Sequence, residues 1–202
     1  MNKVVIVSGG TKGIGFAAAK KFLQSGDQVV ILGRRPMQEA LQDLSALGDV
    51  TFFQADVSKE ADCKAAVQET IRKYGRLDIL ANVAGVVGKR SHFPNTDLQD
   101  VQNTININLM GTIYLSHYAA QEMAKNQSGV IVNVGSICGF LANGESIGYH
   151  ASKGAIKMLT QSLARELSPY GIRVVSVAPG WVRTGMVNEE TEFIGGKLHM
   201  KG

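Results

Sequence analysis

Short runs of apolar, largely β-branched residues alternate along the whole chain with segments in which apolar residues recur at helical spacing. In six of these runs consecutive residues are apolar, so both faces of an extended segment would be apolar, as in buried parallel strands. We predict strands at residues 3–7, 28–32, 50–55, 77–81, 129–134 and 173–178.

The segments between these strands have the period of amphipathic helices. Ile14, Ala18 and Phe22 recur at helical spacing, and the pattern stops at Gly26. Later segments have the same period and are bounded by residues typical of helix ends. We expect further helices from Pro36 to Gly48, from an N-cap at Ser58 to Gly75, over residues 97–126 with a break near the start, and over residues 148–168.

The alternation of strands and helices with short connections predicts an α/β fold. Parallel strands need crossover connections, and helices supply them on both faces of the sheet. We therefore predict a three-layer, doubly wound parallel sheet. No linker or low-complexity segment interrupts the pattern, so residues 1–202 are interpreted as a single domain.

Composition excludes several classes of protein. Hydrophobic residues make up 45% of the 202 residues and charged residues 19%, which is ordinary for a soluble globular protein. The net charge of +4 comes from scattered Lys and Arg, so no nucleic-acid partner is expected. No apolar run approaches the length of a membrane span. Two cysteines, Cys63 and Cys138, are too few for a disulfide framework. The low number of cysteines fits a reducing environment, so we expect a cytoplasmic protein. We expect no metal site, because the four His residues share no ligand spacing.

A glycine-rich segment follows the first predicted strand. The spacing of Gly9, Gly13 and Gly15 differs from the commonest dinucleotide fingerprint, and a tight turn is the alternative interpretation. Glycines allow a close approach of the backbone to a pyrophosphate, and the following helix N-terminus attracts negative charge. The candidate pyrophosphate-binding residues are Gly9, Thr11, Lys12, Gly13, Ile14 and Gly15.

The end of the second predicted strand bears on the choice of cofactor. NAD-binding chains usually have an acidic residue there, which binds the adenine ribose hydroxyls. This chain has Arg34 and Arg35, with Lys12 in the glycine-rich segment, and such cations suit a ribose 2′-phosphate. The alternative is that both arginines are only solvated loop residues. We favour NADP(H) over NAD(H), with Asp56 and Val57 next to the adenine.

Tyr149 and Lys153 are the candidate catalytic pair. They are four residues apart, so a helix over 148–168 would put them on one face. A tyrosine hydroxyl titrates near about pH 10, and a neighbouring ammonium would lower its pKa into a range useful for acid–base catalysis. The alternative is an ordinary pair on a solvated helix face.

Taken together and in order, these motifs resemble the short-chain dehydrogenase/reductase family over essentially all 202 residues. Ser8 and Val83 are small departures, since the family often has Thr and Asn at those positions. The resemblance implies a Rossmann fold and further cofactor-cleft residues. The residues that carry the resemblance are Gly9, Gly13, Gly15, Asp56, Val57, Asn82, Ala84, Gly85, Asn108, Ser136, Tyr149, Lys153, Pro179 and Gly180.

The resemblance also implies a role for each candidate site residue. Tyr149 would donate a proton to a carbonyl oxygen that Ser136 binds, although Ser136 could equally be a cap hydroxyl. Lys153 would lower the pKa of Tyr149 and bind the nicotinamide ribose. Asn108 would hold a water that links Lys153 to solvent, or would be an ordinary helical Asn. Asn82, Ala84 and Gly85 would line the cleft, with Pro179, Gly180, Val182 and Thr184 at the nicotinamide end.

The resemblance further implies a mobile substrate lid at residues 185–202, followed by a helix and a last strand that we expect to be missing from this sequence. It suggests a homotetramer or dimer, with the helices from Asp97 and Gly148 between subunits. His150 is left out of the mechanism because adjacent helical residues point apart, and Trp181 is either core or a substrate contact.

We therefore expect an oxidoreductase that transfers a hydride between NADP(H) and a carbonyl or secondary alcohol. A 3-oxoacyl thioester, a hydroxysteroid and a sugar are all candidate substrates. Ile137, Phe140, Leu141 and Ile147 favour a fairly apolar one. The alternatives are a cofactor-binding protein without turnover and, with less support, an epimerase or dehydratase.

Overall fold

The computed structural model describes residues 2–142 and 144–184. Its centre is a sheet of six parallel strands in the order β3-β2-β1-β4-β5-β6, which confirms the predicted doubly wound architecture. The predicted lid at residues 185–202 lies outside the described residues. The strands are β1 (Val4–Ser8), β2 (Gln28–Gly33), β3 (Val50–Gln54), β4 (Ile79–Asn82), β5 (Gly129–Val134) and β6 (Ile172–Val177).

Strand order reverses at β1, which pairs with β2 on one side and with β4 on the other. Ser8, at the carboxyl end of β1, is in register with Leu32 of β2 and with Asn82 of β4. The connections that leave β1 and β4 diverge to opposite faces of the sheet. This divergence opens a crevice at the carboxyl edge, where doubly wound sheets bind their ligands.

In the part of the chain that the structure describes, six α-helices cover the two faces of the sheet, and one core lies on each face. Successive residues of β1 alternate between them: Val5 and Val7 pack towards α1 and α2, whereas Ile6 packs towards α3 and α5. This arrangement explains why the central strands are apolar on both faces. The helices are α1 (Gly13–Gln24), α2 (Gln38–Ser45), α3 (Glu60–Tyr74), α4 (Leu98–Ile105), α5 (Gly111–Lys125) and α6 (Ile147–Leu167).

The long helix predicted for residues 97–126 is interrupted further along than expected. It starts at Asp97, whose carboxylate caps the Gln99 N–H, and a π-helical turn at Asn106–Met110 separates α4 from α5. Such turns carry an inserted residue and often occur at functional sites. The N-cap prediction at Ser58 is wrong, because its hydroxyl donates to Asp56 and Lys59 occupies the cap position.

The outer strand β6 departs from the two-faced apolar pattern. Val175 and Val177 are about half exposed, at 49% and 48%, whereas Ile172 and Val174 are buried. Among the described residues, β6 is paired only with β5 and forms one edge of the sheet. In the same part of the chain, no helix has the length and apolar character needed to cross a membrane.

Candidate active site

Two adjoining cavities follow the carboxyl edge of the sheet. The first, of about 620 Å³, extends from the glycine-rich loop to the ends of β2 and β3. The second, of about 510 Å³, extends from the same loop to the ends of β4, β5 and β6. Gly9, Lys12, Ala84 and Gly85 line both cavities, which therefore form one continuous cleft.

The glycine-rich loop forms the floor of the cleft where the two cavities meet. Gly9 has a φ of +68°, and a Cβ atom there would lie 3.0 Å from the Cα of Ala84. A Cβ on Gly15 would collide with the carbonyl oxygen of Gly9. Glycine is required at both positions because the loop passes so close to its surroundings. The N-terminus of α1 consequently faces the cleft, as a pyrophosphate-binding site requires.

The hydroxyl of Ser8 stabilises the backbone next to the glycine-rich loop. Ser8 Oγ accepts the backbone N–H of Val83 at 2.9 Å and that of Ala84 at 3.1 Å. These two hydrogen bonds connect the end of β1 to the chain that leaves β4. Ser8 keeps the hydroxyl of the Thr that the family often has here, but the sequence alone does not show that this hydroxyl accepts two N–H groups.

Arg34, Arg35, Asp56 and Val57 line the far end of the first cavity together with Thr11, as predicted. Burial acts to raise the pKa of Asp56, but hydrogen bonds from Ser58 and the nearby positive charge of Arg34 outweigh it. The pKa of Asp56 therefore lies below its usual value. This end of the cleft combines two exposed guanidinium groups with one ionised carboxylate.

Tyr149 and Lys153 lie one turn apart on α6 and face the second cavity, as their spacing predicts. Lys153 is buried, and its ammonium donates to the carbonyl oxygen of Val134 at 2.7 Å. The same ammonium is 5.7 Å from the centre of the Tyr149 ring. Burial lowers the pKa of Lys153 to about 8.

The pKa of Tyr149 differs from the expectation. Burial raises it, a hydrogen bond with Ser136 lowers it in part, and the net direction is upward. The predicted lowering by Lys153 is not observed in this structure, because the lysine donates to Val134 and lies beside the tyrosine ring. Ser136 is buried, and its Oγ also accepts the N–H of Cys138 at 3.1 Å, so it has the cap role and in addition lines the second cavity.

Asn108 occupies the π-helical turn and binds the chain that follows β4. Its Oδ1 accepts the N–H of Val86 at 2.8 Å, and its Nδ2 donates to the carbonyl oxygen of Val86 at 2.9 Å. Nδ2 also donates to Ser152 Oγ at 3.0 Å. A Cβ on Gly85 would lie 3.2 Å from Asn108 Oδ1 and 3.7 Å from Lys153 Nζ, so these groups converge. The water-holding role of Asn108 stays a prediction.

Asn82 does not line either cavity, contrary to the prediction. Its amide is buried and donates to Ser116 at 3.0 Å and to Asn133 of β5 at 2.9 Å. Asn133 in turn donates to Thr160 of α6 at 3.0 Å. The sheet register places Asn82 beside Asn133, so Asn82 ties β4 to β5 behind the cleft.

The opposite wall of the second cavity comes from the segment after β6. Gly135 donates to Val177 at 2.8 Å and Ile137 donates to Pro179 at 3.1 Å, which holds the two segments together. A Cβ on Gly13 would lie 3.3 Å from the Thr184 side chain, so this segment reaches the glycine-rich loop. The cavity-lining residues here are Pro179, Gly180, Trp181, Val182 and Thr184.

Several residues that the sequence analysis did not assign to the site also line the second cavity, among them Arg90, Cys138 and His150. The ring of His150 lies 6.3 Å from that of Tyr149, edge to face, and its Nδ1 donates to Ser146 at 2.8 Å. The expectation that Tyr149 and His150 point apart is therefore wrong, because both line this cavity. The helix starts at Ile147, and the three residues before it also line the cavity.

Metal ligands are not grouped in this cleft. In residues 2–142 and 144–184, no three His, Cys, Asp or Glu side chains are arranged to hold a metal ion. The glycine floor, the basic end and the Tyr149–Lys153 wall instead fit a dinucleotide, whose pyrophosphate would lie where Gly9 and Gly15 leave room.

Comparison with known proteins agrees with this geometry. The family model for short chain dehydrogenase matches residues 3–195. An uncharacterised oxidoreductase of Thermotoga maritima is 41% identical over 185 residues, which cover 90% of this chain and 72% of that protein. The chain therefore belongs to the short-chain dehydrogenase family, which uses a nicotinamide cofactor.

Two solved structures with different cofactors are similar to this chain. ElxO with NADP bound superimposes with a TM-score of 0.87 and 33% identity, over 98% of this chain and 80% of that one. NAD⁺-bound xylitol dehydrogenase gives a TM-score of 0.83 and 29% identity, over 89% and 70%. The shared fold thus accommodates either dinucleotide.

Proposed function

We propose that this protein is an NADP(H)-dependent oxidoreductase that interconverts a carbonyl group and a secondary alcohol. One observation supports the proposal most strongly. Ser136, Tyr149 and Lys153 line the same cavity, and that cavity adjoins the glycine-rich floor at Gly9. A proton donor is thus next to the site where a dinucleotide would lie.

The side chains divide the work of the reaction. A bound nicotinamide supplies or accepts the hydride. In reduction, the Tyr149 hydroxyl gives its proton to the carbonyl oxygen, and in oxidation the phenolate takes the proton back. Ser136 donates a hydrogen bond to the same oxygen and fixes its position. Lys153, one turn along α6, has its ammonium beside the Tyr149 ring and would bind the ribose of the nicotinamide.

NADP(H) is the proposed cofactor because of the charge at the far end of the first cavity. Arg34 and Arg35 are exposed there, and a guanidinium pairs well with a phosphate. Asp56, the ionised carboxylate at this end, already has Arg34 near it. The similarity to both NADP-bound and NAD⁺-bound structures leaves this choice to the residues of this chain.

Calorimetric titration with NADPH and NADH tests the cofactor proposal directly. We expect binding of NADPH to be at least about tenfold tighter than binding of NADH, since one charge-assisted pair contributes roughly 1.5–3 kcal/mol. Reduction of an activated ketone with NADPH then tests turnover. Equal affinity for the two dinucleotides would contradict the cofactor proposal, and binding without turnover of any ketone or alcohol would identify a cofactor-binding protein.

We also propose that the protein is a cytoplasmic homo-oligomer. Leu98 of α4 and Met158 of α6 are large apolar side chains that are 71% and 60% exposed, on the two helices expected between subunits. Burying such groups is the usual driving force for association. Size-exclusion chromatography with light scattering should give a dimer or tetramer, and a clean monomer would contradict the proposal.

A further inference from the structure

The chain after β4 carries three basic residues, and one of them, Arg90, lines the second cavity. Lys89 Nζ lies 3.6 Å from Asp97, and His92 Nε2 lies 3.7 Å from Glu145. Arg90, between them, forms no ion pair with any carboxylate of the described residues, although it lines the cavity. Its charge is therefore available to a ligand.

The backbone on both sides of Arg90 is fixed. The N–H of Lys89 donates to Asp100 of α4 at 2.7 Å, and the N–H of Ser91 donates to the carbonyl oxygen of Glu145 at 3.0 Å. These bonds hold the segment between α4 and the start of α6. The position of the Arg90 Cα is thereby determined, and its side chain borders the cavity that Ser136 and Tyr149 also line.

The remainder of this cavity wall is largely apolar. Val87, Ile137, Trp181 and Val182 line it beside Arg90. Glu145 is the one carboxylate among its described lining residues, and the His92 ring faces it. A ligand that reaches from Tyr149 to Arg90 would therefore pass apolar surface and end at a guanidinium that has no carboxylate partner within residues 2–142 and 144–184.

We infer that the substrate is a ketone, or the corresponding alcohol, with an apolar body and an anionic group that Arg90 binds. This inference rests on the proposed function and names its substrate class. A guanidinium binds carboxylate and phosphate with the same bidentate hydrogen bonds, so either anion fits the site. The carbonyl end lies at Tyr149, and the anion lies at the loop after β4.

The test compares an aliphatic ketone with two analogues that end in a carboxylate or in a phosphate. We expect kcat/KM to be higher for an anionic ketone than for the neutral one. Arg90→Ala should lower kcat/KM for the anionic ketone by about 10- to 100-fold, which is the usual contribution of one hydrogen bond to a charged group. The same variant should leave kcat/KM for the neutral ketone unchanged. Arg90→Lys should recover part of the loss. The more affected analogue identifies which anion is bound.

Lys89→Ala is the matched control, because it removes the same charge from the adjacent exposed residue, which does not line the cavity. It should change neither reaction. Equal losses for neutral and anionic ketones in Arg90→Ala would overturn the inference. So would a preference for hydroxylated neutral substrates that disappears in Glu145→Gln.

A binding measurement keeps the inference testable without turnover. A saturated alkyl carboxylate, titrated calorimetrically into the protein, should bind the unmodified chain and Lys89→Ala alike, and Arg90→Ala more weakly. Equal binding by all three would contradict the role of Arg90. Intact reduction of neutral ketones alongside that result would leave the proposed function standing, whereas Arg90-dependent binding without any turnover would contradict the proposed function alone.

Discussion

The ammonium of Lys153 donates to the carbonyl oxygen of Val134 at 2.7 Å, at the carboxyl end of β5. Burial lowers the pKa of this lysine and raises the pKa of Tyr149, the residue one turn before it. In the free protein at neutral pH, Tyr149 therefore keeps its proton. That state suits a proton donor in carbonyl reduction, and the carbonyl of Val134 keeps the lysine next to the ring.

The buried lysine should make stability depend on pH. Between its lowered pKa of about 8 and its usual value of 10.5, the unfolded chain holds a proton that the folded chain has released. Folding is therefore penalised below this window and stabilised as the pH rises through it. Relative to Lys153→Met, the free energy of unfolding should increase by about 2–3 kcal/mol from about pH 7 to about pH 10.

Urea denaturation of both proteins across that range measures the change. Lys157→Met is the matched control, because it removes the same charge from an exposed position one turn further along α6. A constant difference between the original protein and Lys153→Met would mean that the lysine titrates at its usual pKa.

Asn108 should be more important for stability than Ser152, the residue to which it donates. Asn108→Ala leaves both the N–H and the carbonyl of Val86 without their partners, and each such loss costs about 1–3 kcal/mol. Ser152→Ala breaks the bond to Asn108 but leaves the bonds to Val86, so it should cost about 1 kcal/mol. Urea denaturation measures both losses, and similar values would contradict the assigned role of Asn108.

Two substitutions of Ser8 test whether its hydroxyl stabilises the backbone beside the glycine-rich loop. Ser8→Ala removes the acceptor of the Val83 and Ala84 N–H groups and should destabilise the protein by about 2–4 kcal/mol. Ser8→Thr keeps the hydroxyl and should recover most of the stability and of the NADPH affinity. Thermal unfolding and calorimetry provide the two measurements. A Thr variant no better than the Ala variant would mean that packing, not the hydroxyl, is what matters.

Much of this site could be predicted from the sequence, because its parts follow local rules. The four-residue spacing of Tyr149 and Lys153 determines their common helix face, and the alternation of strands and helices determines the sheet edge that they approach. Gly9 and Gly15 were recognisable as a pair because a side chain is excluded at both, at Gly9 by a positive φ and a close contact and at Gly15 by close packing alone.

The remaining features depend on segments without a periodic pattern. The π-helical turn that aims Asn108 at Val86 adds a residue to a helix whose apolar spacing continues on both sides. Asn82 turns into the core because Ser116 and Asn133 accept its amide, and those partners are 34 and 51 residues away. Arg90 and His150 lie at the cavity because of the loops that lead to them. The pKa of Tyr149 depends on burial, which spacing alone does not give.

Arg34 should account for most of the difference in affinity between NADPH and NADH. Arg34→Ala should weaken NADPH binding about 10-fold or more and leave NADH binding nearly unchanged, because only NADPH carries the 2′-phosphate. Lys20→Ala removes the same charge from an exposed position of α1 outside both cavities and should affect neither cofactor. If calorimetry finds equal losses for NADPH and NADH in Arg34→Ala, the arginine contributes only a general attraction.

Tyr149→Phe tests the central claim most directly, because it removes one hydroxyl and keeps the ring. NADPH-dependent reduction of an activated ketone should fall by roughly 10²- to 10⁴-fold, the usual contribution of a positioned proton donor. NADPH affinity, measured by calorimetry on the same protein, should be unchanged. Near-normal reduction by Tyr149→Phe would contradict the assignment of Tyr149 as the proton donor, and with it the mechanism proposed for this protein.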